Sequence, residues 1–212
     1  MAFVRGRRRR DDNLEGTNSV DTIFGYSGND TLIGLGGDDY MRGDEGDDSL
    51  EGGDGNDQLI GNEGNDELLG GNGNDFVKGE EGNDSLDGGD GDDQLFGNDG
   101  DDEIIAGAGN DYLDGGDGED GLDGGDGNDT LLGGSNSSVR TTREEIIKDE
   151  EGNIIFTGTF PTIEFTGGDT LIGGAGDDLI LANAGDDVVD AGLDNDTDRK
   201  STRLNSSHSS VS

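Results

Sequence analysis

Gly52-Gly53-Asp54-Gly55-Asn56-Asp57-Gln58-Leu59-Ile60 is a nonapeptide that the chain states again as Gly124-Gly125-Asp126-Gly127-Asn128-Asp129-Thr130-Leu131-Leu132. Around and between these copies the register never slips. Residues 25–132 divide into twelve consecutive nonapeptides without an insertion. The units begin at Gly25, Gly34, Gly43, Gly52, Gly61, Gly70, Gly79, Gly88, Gly97, Ala106, Gly115 and Gly124. Position 4 is Gly and position 6 is Asp in all twelve, and position 8 is always apolar, from Leu32 and Met41 to Leu122 and Leu131. Self-similarity at a fixed period marks a repeat architecture and takes precedence over local propensity.

Each unit reads as a turn half and a strand half. Positions 1 to 6 hold Gly, Asp, Asn and small residues, the chemistry of turns that need positive φ or close backbone approach. Positions 7 to 9 predict a three-residue strand with only its middle side chain pointing inward. Two nonapeptides then make one strand-turn-strand-turn coil. Successive coils stack as parallel strands ~4.8 Å apart. The expected fold is all-β, a parallel β-solenoid. Turns on one edge recur at every second unit, which sets Asp30 beside the turn of Asp48 and Asp39 beside that of Asp57.

Composition argues against such a fold standing unaided. Of 212 residues, 44 are Gly, 52 are acidic and 13 basic, only 26% are hydrophobic, and the formal charge is -39. A chain of this kind is disordered by default. Burying one Leu per unit stabilises by roughly 1.5–3 kcal/mol. Ordering the backbone costs roughly 1–2 kcal/mol for each of the nine residues. Burial loses, and stacked carboxylates deepen the loss. Hard cations that take 6–8 oxygen ligands, Ca²⁺ above all, suit the aspartates and the carbonyls that Gly leaves accessible. The same charge repels phosphate backbones and anionic lipid, so nucleic acid is not an expected partner.

The units resemble the RTX (hemolysin-type) calcium-binding nonapeptide, G-G-x-G-x-D-x-U-x with U apolar. The resemblance covers residues 25–132 densely, with a second patch near 164–190. It implies a right-handed parallel β-roll with several Ca²⁺ ions in its turns, in a protein exported unfolded by type I secretion machinery and folded outside the cell. Carried onto this chain, it implies side-chain ligands at Asp30, Asp39, Asp48, Asp57, Asp66, Asp75, Asp84, Asp93, Asp102, Asp111, Asp120, Asp129, Asp169, Asp178 and Asp187. Gly at positions 1, 2 and 4 is implied as the turn backbone. Position 2 departs from Gly at Tyr26, Leu35, Asp44, Asn62, Glu80 and Asn98, so those turns are expected to be strained or to bind more weakly.

The flanks divide the rest. Residues 1–12, with Arg7, Arg8, Arg9 and Arg10, are expected to be a basic flexible tail. The roll is expected over 13–134, its first unit (13–24) a degenerate cap with Asp21 at position 6 and Ile23 at position 8. Asp129 and the next in-phase aspartate, Asp169, are 40 residues apart where 9 are expected, so 31 residues are inserted. Residues 135–166 read as a β-hairpin excursion with a potential for protein or glycan contact. Repeats resume over 167–197. Residues 198–208 agree over eleven codons with the translation of a common sequencing-library adapter, so 198–212 are expected to be non-native. His208, the only His, then has no role.

There is no Cys, no run of 18 apolar residues for a membrane span, and no apolar core after the N-terminal basic residues for a Sec signal peptide. Without His208 there is no Ser/His/Asp triad and no HExxH zinc motif. The expected function is a secreted calcium-binding module, not an enzyme. The alternatives are the repeat region of a larger metalloprotease, lipase, pore-forming toxin or alginate epimerase, or an adhesin module.

Overall fold

The computed structural model describes residues 1–134, 170–172, 179–182, 188–190 and 197–200. Nineteen strands and no helix occur among them. The first two, β1 (Phe3–Arg5) and β2 (Asn13–Glu15), are short. From β3 (Thr22–Ser27) to β14 (Gly121–Asp126) every strand has six residues and begins nine after the one before. Then come β15 (Thr130–Leu132), β16 (Thr170–Ile172), β17 (Leu179–Ala182), β18 (Val188–Asp190) and β19 (Thr197–Lys200). Odd strands form a ten-stranded sheet and even strands a nine-stranded one, in sequence order, every pairing parallel. Leu32 pairs with Leu50 and Leu50 with Leu68, so one coil is two nonapeptides. The fold is the all-β parallel solenoid that the period requires.

Each strand is twice the length read from the nonapeptide. Strand pairing skips position 1 and resumes at positions 2 and 3, as where Leu35 faces Gly53 and Gly36 faces Asp54. The turn is therefore only positions 4 to 6. Within each six-residue strand two residues face inward instead of one: the apolar position 8 and the residue at position 1, Gly in all units but that of Ala106. The position-8 side chains, Ile23 and Leu32 through Leu131, stack as two facing columns with 0–1% exposure.

The N-terminal residues also differ from expectation. Phe3–Arg5 pair with Thr22–Phe24, and Val4 packs on the core opposite Ile23. The Phe3 and Phe24 rings lie 5.7 Å apart, and the Arg5 guanidinium sits 4.1 Å over Phe3. The arginine run is the first turn of the roll, and the Arg10 N–H donates to Ser27 O at 3.0 Å. The outward cation–π contacts hold the charges in water while the backbone pairs. The expected boundary at residue 13 thus falls inside the roll.

At the other end, Leu122 pairs with Leu171 across the insertion that the phase predicts, in the same register as every earlier coil. The β-hairpin expected over 135–166 lies outside the described residues. The closing strand β19 runs across the expected boundary at 198 and pairs with β17.

The six non-Gly residues at position 2 all adopt left-handed backbone, with φ between 78° and 89°. Five of them, Tyr26, Asp44, Asn62, Glu80 and Asn98, stack on one edge. Several of their side chains fold back two residues and recover part of the strain. Asp44 pairs with Arg42 and Glu80 with Lys78, each at 2.6 Å, and Tyr26 stacks on Phe24. Leu35 alone, on the other edge, is 40% exposed with no such partner to recover strain. Leu35→Gly is therefore expected to stabilise the calcium-saturated protein by about 1 kcal/mol. A guanidinium chloride midpoint equal to or below wild type contradicts this.

Candidate metal centre

Asp at position 6 ends the turn and directs its side chain back into the coil. The whole series from Asp30 to Asp129 is 1–3% exposed. Carboxylates are almost never buried to this degree without a partner. Half of each carboxylate is accounted for. The Asp30 N–H donates to Asp48 Oδ1 at 2.7 Å, Asp39 to Asp57, Asp48 to Asp66, and so on to Asp111 with Asp129 at 2.9 Å. This joins every turn to the turn one coil later. Oδ2 is not accounted for: from Asp30 through Asp111 it is buried with no hydrogen-bond partner.

What surrounds Oδ2 explains the Gly at position 1. A Cβ built on Gly25 would lie 2.4 Å from Asp30 Oδ2 and 2.8 Å from the Gly43 carbonyl oxygen of the next coil. At Gly70 the same neighbours are Asp75 Oδ2 and Gly88 O, at 2.4 and 2.6 Å. The absent side chain leaves a cradle in which a carboxylate oxygen and a backbone carbonyl converge. Two oxygen atoms facing one small space, with no hydrogen bond to Oδ2, suit a hard cation. Among the described residues no three acidic side chains meet at one point. The oxygens that converge at the cradle are one from a carboxylate and one from a main-chain carbonyl.

Burial sets the acidity of the row. It pushes the carboxyls of Asp57 and Asp84 up to about 6, those of Asp48, Asp66, Asp75 and Asp93 to about 7, and that of Asp102 to about 8. The N–H received from the preceding coil opposes the rise, and repulsion from stacked neighbours adds to it in most turns. Asp30, Asp39 and Asp111 are raised for the same first reason.

The row has a defined start. Asp21 is as deeply buried, but the Ala2 N–H, the Thr17 N–H (2.6 Å) and the Thr17 hydroxyl (2.8 Å) donate to it. These donors, the Ala2 N–H foremost, hold its carboxyl below the usual range. The cap satisfies its aspartate with protein, whereas the turns from Asp30 to Asp111 leave Oδ2 without a hydrogen bond. Of the expected site residues, Asp30 to Asp129 lie in the two turn edges of the roll, alternating between them; Asp169, Asp178 and Asp187 are outside the described residues.

A second ladder runs along position 5, which the nonapeptide consensus leaves unspecified. Position 5 is Asn or Asp in eleven of the twelve units, Glu119 being the exception. There the N–H donates to the side chain one coil earlier: Asn65 to Asp47 at 2.9 Å, Asn83 to Asn65 at 2.8 Å, Asn110 to Asp92 at 2.8 Å. Position 6 donates forward and position 5 backward, so each turn is held from both sides. The restriction to short carbonyl-bearing side chains at position 5 was the available signal.

A parallel solenoid whose turns carry buried, half-satisfied carboxylates is a cation-organised repeat protein. The profile of the RTX calcium-binding nonapeptide repeat (4 copies) matches residues 9–41, 33–68, 42–77, 60–95, 69–104, 96–131 and 165–198. These segments cover well over half of the chain, which belongs to that family. Its nonapeptides bind Ca²⁺ at multiple sites, so calcium is the ion of this roll. No curated protein matches the chain.

Proposed function

We propose that the chain is the calcium-organised roll of a secreted protein, folding when Ca²⁺ enters its turns outside the cell. The carrying observation is the row of buried Asp Oδ2 atoms without hydrogen bonds, repeated in register from Asp30 to Asp111. In this reading Asp30 to Asp129, together with Asp169, Asp178 and Asp187, supply the side-chain oxygens. The position-1 carbonyl of the next coil supplies a main-chain oxygen. Calcium contributes the positive charge that stacked carboxylates lack. The role is structural rather than catalytic.

Magnitudes favour a switch. Extracellular calcium modules have Kd on the order of 10⁻⁴ M. With calcium at about ten times Kd, each filled site adds about 1.4 kcal/mol, and ten such sites add about 14 kcal/mol. At sub-micromolar calcium the same sum is close to zero. The chain then stays extended, as passage through an export channel requires. Far-UV circular dichroism during a calcium titration tests this: a cooperative gain of β signal is expected by about 1 mM Ca²⁺. Equal Mg²⁺ is expected to produce little, because it dehydrates reluctantly and demands octahedral geometry. No change of signal with calcium defeats the proposal.

Residues 135–166 enter between two coils that pair in register around them, so a contact function for protein or glycan can be added without disturbing the roll. Deleting them is expected to leave the calcium transition unchanged, as measured by the same titration.

A further inference from the structure

Eleven of the twelve units begin with Gly, and one begins with Ala106. At every other described position 1 from Gly25 to Gly115, an added Cβ would lie 2.0–2.5 Å from Oδ2 of the same unit's aspartate. No carboxylate oxygen tolerates a carbon that close. Ala106 carries that carbon, is fully buried in the core, and belongs to the unit of Asp111. Its methyl fills the cradle that the other turns leave open.

The neighbouring geometry fits a displaced carboxylate. Asp111 Oδ1 lies 3.0 Å from the Cβ position of Gly109 in its own turn. At the equivalent Gly82 and Gly127, the three nearest atoms, out to 3.3 and 3.5 Å, all belong to the preceding coil. The scaffold itself is intact. The Asp93 N–H still donates to Asp111 Oδ1 at 2.8 Å, and the Ala106 carbonyl still faces the cradle of Gly88 and Asp93, 2.6 Å from the Gly88 Cβ position. The substitution therefore alters one cation position and leaves the coil pairing alone.

We infer that Ala106 makes the Asp111 turn a weakened calcium site, interrupting the row on one edge while the row through Asp102 on the other edge continues. The inference rests on the calcium reading above. Its consequence is a seam: the coils C-terminal to Asp111 receive less calcium support on that edge than those before it.

Calcium counting on the full chain tests it, by equilibrium dialysis and by calorimetric titration. Ala106→Gly is expected to gain one bound ion, or to tighten one site about tenfold, the scale of losing or restoring one determinant of a metal site. Gly97→Ala, the position-1 glycine one unit earlier on the opposite edge, is expected to lose one. Ala106→Gly decides the question by itself, since removing a methyl cannot introduce a clash, and circular dichroism of the loaded variant checks its fold. An Ala106→Gly isotherm identical to that of a calcium-binding wild type overturns this inference alone. A wild type that binds no calcium overturns the calcium reading and this inference with it.

Discussion

Acidifying a metal-free solution from about pH 8 to about pH 4 is expected to fold the roll, the reverse of ordinary acid denaturation. The sign follows from the buried row. Unfolded aspartates titrate near 3.8, whereas Asp48, Asp57, Asp66, Asp75, Asp84, Asp93 and Asp102 of the roll sit at about 6 to about 8. A carboxyl raised on folding takes up protons in the folded state. Its stabilising contribution is complete below about pH 4 and is lost as pH rises through about 6 to about 8. Protons then do what calcium does at neutral pH: they remove the charge that burial penalises. The fall in net negative charge acts in the same direction. Far-UV circular dichroism with a chelator, at concentrations kept monomeric by light scattering, reads the transition. A metal-free chain that stays unstructured at every pH contradicts it. The corollary is that protons and calcium support the same folded state, so the calcium midpoint of folding moves to lower concentration as pH drops from about 8 to about 6.

Gly82→Ala is expected to cut the roll in two. Gly82 has φ 133°, and its Cβ would lie 1.7 Å from the Gly64 carbonyl oxygen of the preceding coil and 2.6 Å from its carbon. Both atoms are backbone, held by the stacking itself, so no side-chain rotation relieves the clash. The cost is expected to be about 4 kcal/mol or more, the range of exceptional single substitutions. Because a solenoid repeat touches only its neighbours, the damage stays at one junction. The single calcium transition should separate into two, one for each side. Gly36→Ala is the control: its Cβ would meet nothing nearer than 3.4 Å, and its φ is not left-handed. One transition at the wild-type midpoint in Gly82→Ala refutes the prediction.

Both predictions depend on a distinction that the nonapeptide hides. Glycine recurs at positions 1, 2 and 4 and reads as one kind of turn residue, but it serves two needs. Position 2 in every unit, and position 4 in every unit but that of Gly118, adopt left-handed backbone, as the strained Tyr26 and Leu35 and the φ of Gly82 attest. Position 1 has no such requirement and needs empty space, because its missing side chain makes room for the aspartate five residues later. Composition cannot separate a need for conformation from a need for volume, since glycine meets both. The first coil was obscured for a related reason. The arginine run disrupts the repeat's composition, yet Asp12 keeps phase with Asp30, and its N–H donates to Asp30 Oδ1 at 2.7 Å.

The repeat alone determined the period, the parallel stacking of every second unit, the inward position 8, the length of the insertion and the aspartates of the turns. Those follow from spacing, which one-dimensional information carries in full. Only the tertiary structure decided that the aspartates from Asp30 to Asp111 are buried, that one oxygen of each is taken by the coil before and the other left facing a carbonyl, and that Ala106 stands in the cradle of Asp111. The reason is that an aspartate two units away becomes a neighbour only once the coils stack, and burial belongs to the stack and not to any nonapeptide within it.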